Sequence, residues 1–248
     1  CRYEECTGCG LCDFKKIKNR VGGREAGVRR RSRSQLQPKP TLALRRIRLT
    51  YSKLNDARFL GHLELSSLFA RAIRRAGIPV RYSAGFHPAP RIIFSPPISL
   101  GMESMEEFLD VEIEGYMACG EAKDRLNLEL PEGIRIIEAV DVPAASPSIT
   151  AAVTKADYEI QWSGVGSLKI RSFMQSDTFL FKKERTGREY DIRPLIEKFE
   201  ASDNKLEMTI KTGKEGSIKP GELAQVIFGL GDDETKLLRV VKTRTYLM

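Results

Sequence analysis

From residue 44 onward the apolar residues switch repeatedly between a period of two and a period of 3.6. The order of those switches constrains the fold more than any other feature. "LRRIRLTYSK" alternates, with Leu44, Ile47 and Leu49 near one face, and predicts a strand. In "GHLELSSLFARAIRRAG", Leu65, Leu68, Phe69, Ala72, Ile73 and Ala76 recur at helical spacing, and Gly77 stands where a left-handed C-cap is needed. "RIIFS" is a short β-branched and aromatic strand framed by proline-rich loops, and "MEEFLDVEIEG" alternates as a half-exposed strand. "GEAKDRLNLELPEG" is a helix of about three turns stopped by Pro131, and "IRIIEAVDVP" closes the unit as a strand. The order β-α-β-β-α-β is that of the split βαβ, ferredoxin-like domain.

After the small-residue linker "PAASPSITAAVT" a similar order returns. "DYEIQW" is a strand, "GSLKIRSFMQS" a helix, and "TFLFKKER" and "KLEMTIKTG" two strands. "KPGELAQVIFG" is a helix with Pro220 in its first turn and Gly229 past its end, and "TKLLRVVKTRTYLM" is the last strand. "GREYDIRPLIEKFE" stands outside this order as an insertion, in which Asp191 is placed to cap a helix and Arg193 to pair with it. The expected fold class is therefore α+β: two tandem ferredoxin-like domains, over residues 42–145 and 155–248, preceded by a Cys-rich metal knuckle (1–14) and a basic flexible linker (15–41).

The knuckle carries four of the five cysteines, Cys1, Cys6, Cys9 and Cys12, in the pattern C-x4-C-x2-C-x2-C. Two successive x2 gaps let three thiolates converge on one centre, and Gly8 and Gly10 ease the turns. Four thiolates suit structural zinc, whereas the C-x2-C-x2-C run is shared with bacterial iron–sulfur ferredoxins; both cofactors stay open. Cys119 stands apart and is expected to be a packing residue.

Charge is concentrated rather than spread. Thirteen Lys or Arg fall between Lys15 and Arg48 against the single acid Glu25, more positive charge than the whole chain's formal net of +8. Such a stretch, poor in large apolar residues, cannot build a core; it is a solvated linker or a nonspecific nucleic-acid contact. Arg71, Arg74 and Arg75 fall on the polar face of the first helix, and Arg81, His87 and Arg91 lie in the loop "RYSAGFHPAPR". Together these six are a candidate RNA- or phosphate-binding pocket, with a solvated helix face as the plainer reading of the arginine triplet. His62 and His87 are the only histidines, and no nucleophile or carboxylate is placed beside them as a triad requires. No apolar run approaches the roughly 18 to 20 residues of a membrane span, and the first residues lack the apolar core of a signal peptide. A cytoplasmic location is expected.

"RFLGHLELSSLFARAIRRAGIPVRYSAGFHPAPRIIFSPPISLGMESMEEFLDVEIE" resembles the signature of the radical-SAM-associated family of unknown function. That domain occurs alone or fused behind a cobalamin-binding radical SAM protein. The RAIRRAGIPV helix, the YSAGF loop, the LGMES turn, EFLDVEI and, later, REYDIRPLI come in the family's order, and the resemblance covers nearly everything from residue 45. In fused members a segment similar to "CxxxxCxxCGxCDF" joins the two blocks, so the chain looks like the downstream piece of such a fusion. The family loop usually has asparagine after its phenylalanine and a histidine two residues further on; here those places hold His87 and Ala89.

The resemblance implies a radical SAM partner, fused or separate, and an accessory or substrate-binding role, with RNA as the expected substrate class. Two alternatives come from other classes. One is an iron–sulfur electron-transfer module serving the upstream enzyme. The other is a metal-independent endoribonuclease with tandem ferredoxin-like domains, for which "FGLGDDETK" is a poor phosphate cradle.

Overall fold

The computed structural model describes residues 44–143, 145–161, 167–183, 187–202, 204–212 and 218–248. Strand β1 (Leu44–Lys53) leads through a 3-10 turn (Asn55–Phe59) into helix α1 (His62–Arg75). Strands β2 (Ile92–Phe94) and β3 (Glu103–Glu114), helix α2 (Cys119–Glu129) and strand β4 (Ile134–Val142) complete the first half. Antiparallel pairing gives β4-β1-β3, with β2 on the other side of β3. That spatial order, 4-1-3-2, is the ferredoxin-like arrangement.

Helix α1 forms where the apolar stripe dictates. Leu65, Phe69, Ala72 and Ile73 are buried, and the Glu64 carboxylate accepts the Gly61 N–H at 2.7 Å, satisfying one of the helix's free donors. Gly77 takes the left-handed conformation (φ 65°) that ends the helix. The stripe packs on Ile47, Leu49, Tyr51, Leu109, Val111 and Ile113, so the odd-numbered residues of β1 and β3 face the helices. Fully burying a ring such as Phe69 contributes on the order of 1.5–3 kcal/mol.

A four-residue helix α3 (Ile149–Ala152) interrupts the expected linker. Its Ile149 and Ala152 are buried on Phe108, with Ile93, Val153 and Leu247 packed around them, on the sheet face opposite α1. The second half then runs β5 (Val153–Gln161), α4 (Ser167–Gln175), β6 (Leu180–Lys182), β7 (Glu189–Asp191), a 3-10 turn (Arg193–Leu195), β8 (Ile196–Ser202), β9 (Lys205–Lys211), α5 (Pro220–Phe228), α6 (Asp232–Leu237) and β10 (Val240–Leu247).

Its strands order as β10-β5-β9-β8, again 4-1-3-2. The second position of that order is not taken by "TFLFKKER", as the pattern predicts. β6 pairs only with β7, as a separate hairpin, and β8, from the segment read as an insertion, completes the sheet. Burial explains the exchange: β8 buries Ile196 and Phe199 in the second core, whereas β6 offers one half-buried Phe181 between exposed Leu180 and Lys182. The last strand is also shorter than predicted, because "DDETKL" closes a helical turn in which Glu234 accepts the Gly231 N–H.

The two four-stranded arrangements join as one eight-stranded sheet. β2 covers only Leu109–Val111 of β3, which leaves the start of that strand free to pair in parallel with β10, Glu103 opposite Val241 and Ser104 opposite Lys242. Leu42–Met248 is accordingly one compact unit.

Candidate functional site

The loop between α1 and β2 projects from the sheet beside β3 and is built as a small hairpin. Arg81 donates its N–H to the Glu112 carbonyl at 2.8 Å, and Glu112 donates its own to Arg91 at 3.1 Å. Arg91 N–H reaches the Arg81 carbonyl, Ser83 N–H reaches Ala89, and the Ser83 hydroxyl accepts the Ala89 N–H at 3.0 Å. Pro88 and Pro90 remove two donors and restrict φ, and Gly85 (φ 140°) makes the turn. At the tip Phe86 is wholly exposed (102%), and Tyr82, nearer the base, is 46% exposed. A large apolar ring held in water on a closed hairpin has nothing of its own fold to bury against.

Arg91 and His87 are exposed on this loop, while the Arg81 guanidinium lies 3.1 Å from the Glu112 carboxylate. Val111 and Ile113 face α1, so Glu112, and Arg81 with it, belong to the opposite face of the sheet. Arg71, Arg74 and Arg75 stand on the exposed side of α1, and Arg75 is held by Glu129 at 2.6 Å. The expected single pocket of six cationic or imidazole side chains is thus not formed. The sheet separates the helix triplet from Arg81, while Arg81 and Arg91 are paired through their backbones at the base of the loop that also carries His87.

The face that carries Glu112 is highly charged but internally neutralised. Asp110, fully buried, accepts Arg48 Nε at 2.7 Å and lies 3.8 Å from Arg46. Arg46 also donates to the Pro143 and Ser146 carbonyls, which straps the connection between halves to the sheet. Arg45, on the helix side, bonds Asp141 and the Met117 carbonyl.

Sequence reasoning missed a buried polar seam where the halves meet. Glu107 and Lys242, each under 5% exposed, form an ion pair across it, and Ser95 donates its hydroxyl to Glu107 at 3.1 Å. Lys53 is buried beside them and donates to the Arg58 and Leu60 carbonyls; burial lowers its pKa, against the pull of Glu107 and Glu64. Burial, and then the Glu107 charge, pushes the phenols of Tyr51 and Tyr158 well above the usual tyrosine range. Arg239 bonds Glu103 at 2.8 Å and holds its carboxyl below the ordinary value. The one available signal was the "ESMEE" run, whose carboxylates fall at the start of a strand.

Other predicted residues find structural places. His62 opens α1 and sets its ring edge-on against Phe94, 5.4 Å between centroids. Asp191 accepts the Phe179 and Arg193 N–H groups, but Ile192 is the cap of the turn, and the Arg193 guanidinium bonds the Met174 and Ile196 carbonyls instead of Asp191. Cys119 is partly packed on the first core; burial and then Asp141, 3.5 Å away, push its thiol up. Cys1, Cys6, Cys9, Cys12 and the basic linker lie outside the described residues, among which no group of three His, Cys, Asp or Glu could hold a metal ion. No described helix is long and apolar enough to cross a membrane.

No curated protein matches the chain. The first two RRM domains of yeast poly(U) binding protein (Pub1) align with 78% of this chain and 98% of their own, at 10% identity and a TM-score of 0.20, so the fold rests on the strand order above. A family model matches residues 46–220, more than half the chain, and the chain therefore belongs to the family described as "Uncharacterized protein conserved in bacteria (DUF2344)".

Proposed function

We propose that the chain is a noncatalytic, RNA-binding accessory or substrate-binding module of a radical SAM system. The observation that carries the RNA reading is the hairpin of residues 82–90, which holds exposed Phe86, His87 and Tyr82 and is followed at once by exposed Arg91. Aromatic rings beside cationic side chains suit unpaired bases and the adjoining phosphates, since a base stacks on the ring while the cation meets the backbone. Because the hairpin is closed by its own backbone bonds, ordering it on binding costs little. The radical SAM partnership rests on the sequence resemblance. In the same reading the four N-terminal cysteines hold zinc or an iron–sulfur cluster, which anaerobic reconstitution with optical and EPR spectra would separate.

The test is fluorescence anisotropy with a labelled single-stranded RNA. Stacking of one base is worth about 1–3 kcal/mol, so Phe86→Ala should weaken binding roughly 5- to 150-fold, and Phe86→Trp should retain it. Wild-type affinity absent for every RNA tried, or unchanged in Phe86→Ala, would remove the reading.

A further inference from the structure

Three surface clefts of similar size differ in how their cations are committed. In the first, about 560 Å³, Arg45 pairs with Asp141, Arg81 with Glu112, and Arg46 faces Asp110. In the second, about 480 Å³, Lys205 pairs with Glu159 and Glu207, and Arg239 with Glu103. The third, about 670 Å³, opens between the β6–β7 hairpin and α5 and is lined by Lys182, Lys183 and Lys219. Among the described residues these three ammonium groups have neither an ion pair nor a hydrogen bond. Elsewhere in this half, Lys155, Lys198, Lys205, Lys236 and Lys242 are ion-paired and Lys169 bonds the Phe228 carbonyl, while Lys211, alone on β9 among the described residues, lines none of the three clefts.

Among the described lining residues the one carboxylate, Glu222, is occupied in accepting the Lys219 N–H at 3.0 Å, where it caps α5. Among the described lining residues, three lysines stand against one glutamate. Unpaired cationic side chains lining one concavity raise the local concentration of anions there. The hairpin that brings Lys182 and Lys183 here is the element excluded from the main sheet, so its role in the fold does not require them to be lysine.

We infer that this cleft is a phosphate-binding groove for the backbone of an RNA strand, a contact separate from the Phe86 hairpin. The inference rests on the RNA reading above and deepens it, dividing recognition into base stacking at one place and phosphate neutralisation at another. Each neutralised phosphate on a single strand contributes about 0.7 to the slope of log K against log salt. Comparison with wild type cancels the contribution of the basic linker, which both proteins share.

The experiment measures that slope in the full chain with a single-stranded RNA of about 20 nucleotides. Replacing Lys182, Lys183 and Lys219 together by alanine should make the slope shallower by about 2, while the triple arginine variant keeps it. Phe86→Ala should lower affinity and leave the slope as in wild type. If RNA binds and Phe86→Ala weakens it, but the alanine triple leaves the slope unchanged, the groove is wrong and the RNA reading stands. If wild type binds no RNA, both fall. Circular dichroism of each variant controls for folding.

Discussion

At the residue scale, single groups decide whether the first half can close. Gly133, at the turn before β4, has φ 84°, and a Cβ there would meet the Leu54 carbonyl oxygen at 2.5 Å. That oxygen is backbone, in the segment whose Leu54 N–H bonds the Gly133 carbonyl at 2.8 Å, so it cannot yield. Gly133→Ala should cost about 2 kcal/mol or more, read as a lower urea midpoint with unchanged m-value. The buried phenols set a second expectation. Tyr51 and Tyr158 ionise in the unfolded chain near pH 10 but at higher pH in the fold, so the unfolded state binds fewer protons there. Stability should therefore be unaffected by them below about pH 10 and fall as pH rises beyond it. Thermal melts of Tyr51→Phe with Tyr158→Phe between about pH 9 and 11 should show a shallower decline; an unaltered slope would count against the assignment.

At the element scale, the contest was between two segments for one position in the second sheet. "TFLFKKER" has the better local strand pattern, yet β8 holds the place, because a strand in this sheet needs residues that reach the core rather than alternation alone. The two phenylalanines make the difference measurable. Phe199 is 2% exposed and touches Phe173 and Phe228, whereas Phe181 stands half-buried against Tyr190. Phe199→Ala should cost about 3–5 kcal/mol and Phe181→Ala about 1 kcal/mol, by chemical denaturation. The reverse order would return β6 to the sheet. The hairpin thus released is the element that supplies Lys182 and Lys183 to the groove.

At the scale of the whole molecule, the halves are joined by very little backbone and a good deal of buried charge. Only two residue pairs bridge β3 and β10, but Glu107–Lys242, Glu103–Arg239 and the two bonds between Glu106 and Thr245 surround them. Lys242→Met should cost about 3–5 kcal/mol by leaving Glu107 buried and uncompensated, and adding Glu107→Leu should recover part of that loss. A double variant no more stable than Lys242→Met would show that the two do not act as a pair; urea titrations decide it. What the sequence alone determined is what short-range periodicity and end signals can encode. The elements of the first half, the capping of α1 and α5, and the repeated β-α-β-β-α-β order all follow from side chains within a few residues of one another. Tertiary structure alone decided that the halves share a sheet, that β8 displaces β6, that α1 and Arg81 lie on opposite faces, and which lysines stay unpaired. Those outcomes depend on partners up to 139 positions apart, as in Glu106 with Thr245, and no local pattern records a competition settled by burial and charge pairing at such separations.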